Sequence, residues 1–133
     1  MKRKEALTRD DDPLKVWAVL YEPALRYVIG DADTMREQYA ALAELAAMEN
    51  VTLQVLPQAG QGYVAFHDVN VMILGDGLPT TAQTDTAWFT VAVTDKPREV
   101  GRFSRMFDAM VAAALPPRDT PKLLHQLSRG ITE

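Results

Sequence analysis

Lys15-Val16-Trp17-Ala18-Val19-Leu20 is rich in β-branched residues and nearly all apolar, the composition of a strand covered on both faces and therefore central in a sheet. Working outward, Glu22-Pro23-Ala24-Leu25-Arg26-Tyr27-Val28-Ile29-Gly30 has proline near its start and glycine at its end, which predicts a short helix or helical turn. Thr34-Met35-Arg36-Glu37 fits a capping box, in which threonine and glutamate satisfy each other's exposed backbone N–H groups. A helix is expected from there, because Met35, Tyr39, Leu42, Leu45 and Ala46 share one face, with Asn50 as a left-handed stop. Val51-Thr52-Leu53-Gln54-Val55-Leu56 then alternates with period two until Pro57 ends it, a second strand. On the N-terminal side, Lys2 to Arg9 predicts a short helix closed by Asp10 to Pro13, since proline disfavours helix at the residue before it.

Beyond Pro57, Gln58-Ala59-Gly60-Gln61-Gly62 has hairpin length and precedes a long apolar run, Tyr63 to Leu74, read as a third strand. Gly75 to Gln83 reads as a loop. Thr86 to Thr94 is expected as a fourth strand, with Ala87, Phe89, Val91 and Val93 on its apolar face. Pro97 opens an amphipathic helix through Val100, Phe103, Phe107, Met110 and Ala114 that stops at Pro116-Pro117, and a last helix runs from Thr120 to Arg129 with Leu123, Leu124 and Leu127 inward. The expected fold class is α/β (α+β), one domain over residues 1–133: a four-stranded mixed sheet covered by amphipathic helices, in the order α-β-α-α-β-β-β-α-α. The helical connection permits a parallel first pair, and the short links favour antiparallel hairpins among the last three strands.

Composition narrows the function. With 133 residues and 47% hydrophobic content the chain can build one core. The 14 basic and 18 acidic side chains give a formal charge of −4, which opposes a polyanionic backbone, so direct nucleic-acid binding is not expected. There is no cysteine, and hence no disulfide framework or thiolate metal cage. The acidic run Asp10-Asp11-Asp12 stands where a secretory peptide needs an apolar stretch, and no apolar run approaches the ~20 residues of a spanning helix. A cytoplasmic location, away from membranes, is the expectation.

Leu7-Thr8-Arg9-Asp10-Asp11-Asp12-Pro13, Val19-Leu20-Tyr21-Glu22-Pro23-Ala24-Leu25-Arg26, Met35-Arg36-Glu37-Gln38 and Asn50-Val51-Thr52-Leu53-Gln54-Val55-Leu56-Pro57 form an ordered series. The series resembles the uncharacterised effector-like domain that follows an XRE-type helix-turn-helix in many actinomycete transcriptional regulators, a group that includes the WhiJ-like proteins. The resemblance covers nearly the whole chain and is strongest from Leu7 to Pro57. It implies a regulatory domain that senses a ligand or a small partner protein. Two departures stand out: Met1 falls almost where the domain begins, without the DNA-binding head, and Gly60-Gln61-Gly62 and Thr81-Ala82-Gln83-Thr84 replace the Gly-Ala-His and Val-Tyr-Val-Glu-like stretches of the relatives. Such losses suggest a copy repurposed for another task.

Several residues qualify for a site. Glu22 and Arg26 stand four apart and would share a helical face, able to bind a polar ligand or simply to pair with each other. His67 is the side chain best suited to proton transfer near neutral pH, although a lone strand histidine is more often structural, and Asp68 beside it points to the opposite face. His125 falls on the polar side of the last helix. Trp17, Tyr63, Phe66, Met72, Trp88 and Phe89, with Gln54 among them, could surround a concave pocket or pack as plain core. Gly60-Gln61-Gly62 lacks the lysine and hydroxyl of a phosphate loop, and the aspartate run lacks the glycine turn of a cation loop. No metal or cofactor is expected.

Two functions remain open on the sequence. The preferred one is a regulatory domain of the transcriptional-regulator type, binding a small apolar molecule or small partner protein through Trp17, Glu22, Arg26, Gln54, Tyr63, Phe66, Met72 and Trp88, and shifting a conformational or oligomeric equilibrium, a homodimer among the options. The alternative is a freestanding, cofactor-independent cyclase or isomerase of natural-product biosynthesis, holding a flexible substrate in a reactive shape with help from His67, Glu22 or Tyr63.

Overall fold

A computed structural model describes residues 2–59, 68–85 and 91–131. It has the expected mixed α+β class, and the chain divides into two compact units, residues 1–60 with 114–133, and residues 61–113.

The first unit contains α1 (Lys2–Thr8), β1 (Val16–Tyr21), α2 (Glu22–Arg26), α3 (Ala32–Ala46), β2 (Val51–Leu56), a 3-10 turn (Pro117–Asp119) and α5 (Thr120–Gly130). β1 and β2 pair in parallel, Val16 opposite Val51 through Tyr21 opposite Leu56, as a helical connection allows. Leu53, Gln54, Val55 and Leu56 are all buried, so β2 is covered on both faces. Val55, Leu25, Met35, Tyr39, Leu124 and Leu127 form the core, and Leu20, Leu42 and Leu123 pack against it. On the side of β2 away from β1, Leu115 donates its N–H to the Val55 carbonyl at 2.9 Å, and the buried Thr120 hydroxyl donates to the Leu53 carbonyl at 2.7 Å.

Local signals account for most of these elements, with three corrections. α3 starts at Ala32 rather than after Thr34: Asp31 is its N-cap and accepts the Thr34 N–H at 2.7 Å, because an aspartate at that place also favours the positive end of the helix. Asn50 is not a left-handed stop. Its amide donates to the carbonyls of Leu7 at 2.9 Å and Leu14 at 2.8 Å, which ties down the approach to β1. α2 stops at Arg26, and Tyr27 is already extended, so Tyr27-Val28-Ile29 runs as open chain to Gly30, whose φ of +81° suits glycine.

The second unit contains β3 (Val69–Met72), β4 (Thr81–Asp85), β5 (Val91–Thr94) and α4 (Pro97–Ala113). The strands form an antiparallel sheet in the order β3-β4-β5. The four-stranded sheet expected from the sequence is therefore two sheets of two and three strands among the described residues. The loop expected over Gly75 to Gln83 yields a strand, β4, whose polar Thr81-Ala82-Gln83-Thr84-Asp85 is held by neighbours on both sides rather than by an apolar pattern. Ile73 and Leu74 lie beyond β3, with Asp76 and Gly77 at positive φ in the turn that follows. Val93, expected inward, is 61% exposed. The parts of the predicted strands at 63–67 and 86–90 lie outside the described residues. α4 packs on β3 and β4, with Val100 and Ala82 buried.

Candidate functional site at the α2–α3 groove

The end of β1 leads directly into α2, with Tyr21 as the cap and Pro23 in the first turn, where its missing N–H costs no helical hydrogen bond. Glu22, largely shielded from solvent, then accepts from Arg26 through Nε at 2.7 Å and through the terminal guanidinium nitrogen at 2.6 Å. Its other oxygen accepts the Gln58 backbone N–H at 3.0 Å. That backbone bond, and next the Arg26 guanidinium, hold the Glu22 carboxyl below its ordinary range. The two charges are thus joined to each other and to the segment after β2, and the pair positions α2.

On the other side of α2, the Tyr39 hydroxyl donates to the Leu25 carbonyl at 2.6 Å, satisfying a carbonyl at the end of a five-residue helix. Burial raises the Tyr39 hydroxyl's pKa, so it stays a neutral donor. Residues of α2, of the chain that follows it and of α3 line a groove of about 280 Å³ beside this contact. Leu25, Met35 and Tyr39 form its buried floor, while Tyr27 and Ile29 rise at its rim, 72% and 69% exposed. Val28 between them is 53% exposed. Thr34 and Gln38 supply the polar atoms of the wall. A mostly apolar recess with a few polar groups, near the lower size limit of small-molecule sites, suits a compact apolar ligand.

The sequence-derived site residues are dispersed differently from the expected single pocket. Trp17 and Gln54 do meet: the indole N–H donates to Gln54 Oε1 at 2.7 Å, and Gln54 Nε2 donates to the Leu115 carbonyl at 3.0 Å. Glu22 and Arg26 meet as an ion pair. Met72 is partly buried on β3, in the second unit. Tyr63, Phe66, His67, Trp88 and Phe89 lie outside the described residues. His125 is exposed on α5. Of the groove's own residues, the sequence marks Met35, Tyr39 and Leu42 only as the apolar face of a helix. The available signal was Tyr27-Val28-Ile29, three consecutive large apolar residues with no helical partner once α2 ends.

Among the described residues, no group of three or more His, Cys, Asp or Glu side chains is placed to hold a metal ion, and no helix is long and apolar enough to cross a membrane. No curated protein and no solved structure matches the chain. Residues 1–126 match the family described as Domain of unknown function (DUF5753). The match spans the α2–α3 groove and all but the end of α5, and the chain belongs to this family.

Proposed function

We propose that the chain is a ligand-binding regulatory domain of the transcriptional-regulator type, with a small apolar effector seated between α2 and α3 and DNA contact made outside these 133 residues. The observation that carries this reading is the open groove whose rim keeps Tyr27 and Ile29 in water, where a guest would remove apolar surface from solvent at about 25 cal/mol per Å². The resemblance of Leu7 to Pro57 to the domain that follows an XRE-type helix-turn-helix agrees with it, as does the net charge of −4.

The route to an output is short. A guest that moves α2 acts on Glu22, and Glu22 holds the Gln58 N–H just before the chain leaves the first unit at Gly60. Such a guest regulates only if it binds one arrangement of α2 better than another.

Anilinonaphthalene sulfonate at neutral pH tests the groove, because its fluorescence rises on entering an apolar recess. Ala24 lines the groove and is itself exposed, so Ala24→Trp fills the recess without displacing the core. Probe affinity is expected to fall about tenfold or more in Ala24→Trp and to hold in Ile73→Ser of the second unit. Equal binding by Ala24→Trp and the parent chain would show that the groove is not the site. A metabolite screen by thermal shift then identifies the effector, since a guest at 100 times its Kd stabilises by about 2.7 kcal/mol.

A further inference from the structure

Every residue lining the α2–α3 groove among the described ones is uncharged, so the lining has nothing to neutralise an ion drawn out of water. The Arg26 guanidinium lies close enough to act on Tyr39, but Glu22 takes it up through two nitrogens. The polar groups of the floor and rim are also committed. Tyr39 donates its hydroxyl hydrogen to the Leu25 carbonyl at 2.6 Å, Met35 Sδ accepts the Ile29 N–H at 3.5 Å, and the Tyr27 N–H goes to the Pro23 carbonyl at 3.1 Å. In the wall, Thr34 turns its N–H and its hydroxyl to the Asp31 carboxylate. Of the polar side chains there, that leaves Gln38, one turn further along α3, whose amide makes no hydrogen bond among the described residues.

Gln38 is exposed, so water serves its amide in the open groove. A guest that covers the amide removes this water, which costs free energy unless the guest supplies a donor and an acceptor in return. A carboxamide presents its C=O and one N–H side by side. The group that matches both at once is a second amide whose N–H and C=O also stand on one side, as ring closure forces in a lactam. From the uncharged lining and this one unspent amide we infer that the effector is an uncharged lactam on a compact apolar body. Gln38 Nε2 donates to the guest's carbonyl and Oε1 accepts the guest's N–H, while the apolar body lies over Leu25 and Met35. The inference rests on the groove being the effector site.

Three probes separate these features: cyclo(leucyl-prolyl), whose one secondary amide is held cis; its N-methyl derivative, which keeps the carbonyls and loses the donor; and the linear dipeptide leucyl-proline, a zwitterion. Each is titrated into the isotope-labelled full chain at neutral pH. Affinity is read from displacement of anilinonaphthalene sulfonate, and the Gln38 side-chain NH2 resonances, assigned by their loss in Gln38→Leu, are followed. Cyclo(leucyl-prolyl) is expected to displace the dye, to move those resonances, and to bind about fivefold or more tighter than its N-methyl derivative and about tenfold or more tighter than the linear dipeptide. Gln38→Leu, at an exposed helical position, should bind the dye as the parent chain does, weaken cyclo(leucyl-prolyl) about fivefold or more, and weaken the N-methyl derivative less. The inference is overturned if cyclo(leucyl-prolyl) does not displace the dye at millimolar concentration, if either control binds as well, or if Gln38→Leu leaves its affinity unchanged or weakens it no more than the N-methyl derivative. Each of these results leaves the groove assignment standing so long as Ala24→Trp loses the dye, whereas dye binding unchanged in Ala24→Trp removes the groove and this inference with it.

Discussion

β2 and β4 each run between two hydrogen-bonded neighbours, but they keep their places by different means. β2 has four consecutive buried residues, and its free side is closed by Leu115 and by the Thr120 hydroxyl. β4 carries one fully buried apolar residue, Ala82, among polar ones, and is held by its ladders to β3 and β5. Around it Ile73, Leu78 and Val93 stand 87%, 59% and 61% exposed. The contrast teaches that two ladders and a single buried side chain under α4 can place a strand, whereas a groove with a fixed shape needs the buried side-chain framework that the first unit has.

Core substitutions should separate the two units most widely. Leu124, 1% exposed in the core of the first unit, should cost about 2–5 kcal/mol as Leu124→Ala by urea unfolding, whereas Ile73→Ser on the second unit should stay within about 0.5 kcal/mol. A smaller effect is expected at the β2 seam. Thr120→Val keeps the shape but removes the donor to the buried Leu53 carbonyl, and should cost about 1–3 kcal/mol. Next comes the α3 cap: Asp31→Ala loses the bond from Thr34 and should lower stability in the same assay by less than Thr120→Val does.

The smallest effect is on pH dependence. Glu22 and Asp31 both have carboxyl pKa values lowered in the folded chain, Glu22 by the Gln58 N–H and Arg26, Asp31 by the Thr34 N–H. The stability they contribute is present above their unfolded values, about 4.5 and 3.8, and is lost as the pH falls through the lower folded values. Unfolding midpoints measured from neutral to acid pH should therefore decline below about pH 4.5, and Glu22→Gln should flatten part of the decline.

This difference between the units also governs what could be read from the sequence. β2, α3, α4 and α5 announce themselves because their apolar residues recur at the period of the element and are then shielded, as at Met35, Tyr39, Leu124 and Leu127. β1 is legible as a strand, but the central place covered on both faces that its apolar run predicts is not what forms, since among the described residues it pairs with β2 alone, none of its residues is buried and Trp17 is 53% exposed. β4 was illegible because its strand state comes from pairing with distant residues, and Thr81-Ala82-Gln83-Thr84-Asp85 carries no alternating apolar signal. The ion pair of Glu22 with Arg26 was visible in their spacing, but the third member, the Gln58 N–H, is a backbone group brought close only by folding. The groove is not legible in the sequence because it depends on α2 ending at Arg26 with Tyr27 extended, and on the Tyr39 hydroxyl meeting the Leu25 carbonyl 14 residues away. Trp17 and Gln54 are both candidate binders on the sequence, yet their direct bond follows from the parallel register of β1 and β2.

Hydrogen exchange of the full chain with and without saturating anilinonaphthalene sulfonate tests the assignment of the binding groove most directly. Added protection should concentrate in residues 24–42, around α2 and α3, and leave the amides of β3, β4 and β5 unchanged. Protection confined to the β3–β5 sheet, or absent from 24–42 while the probe is bound, would contradict it.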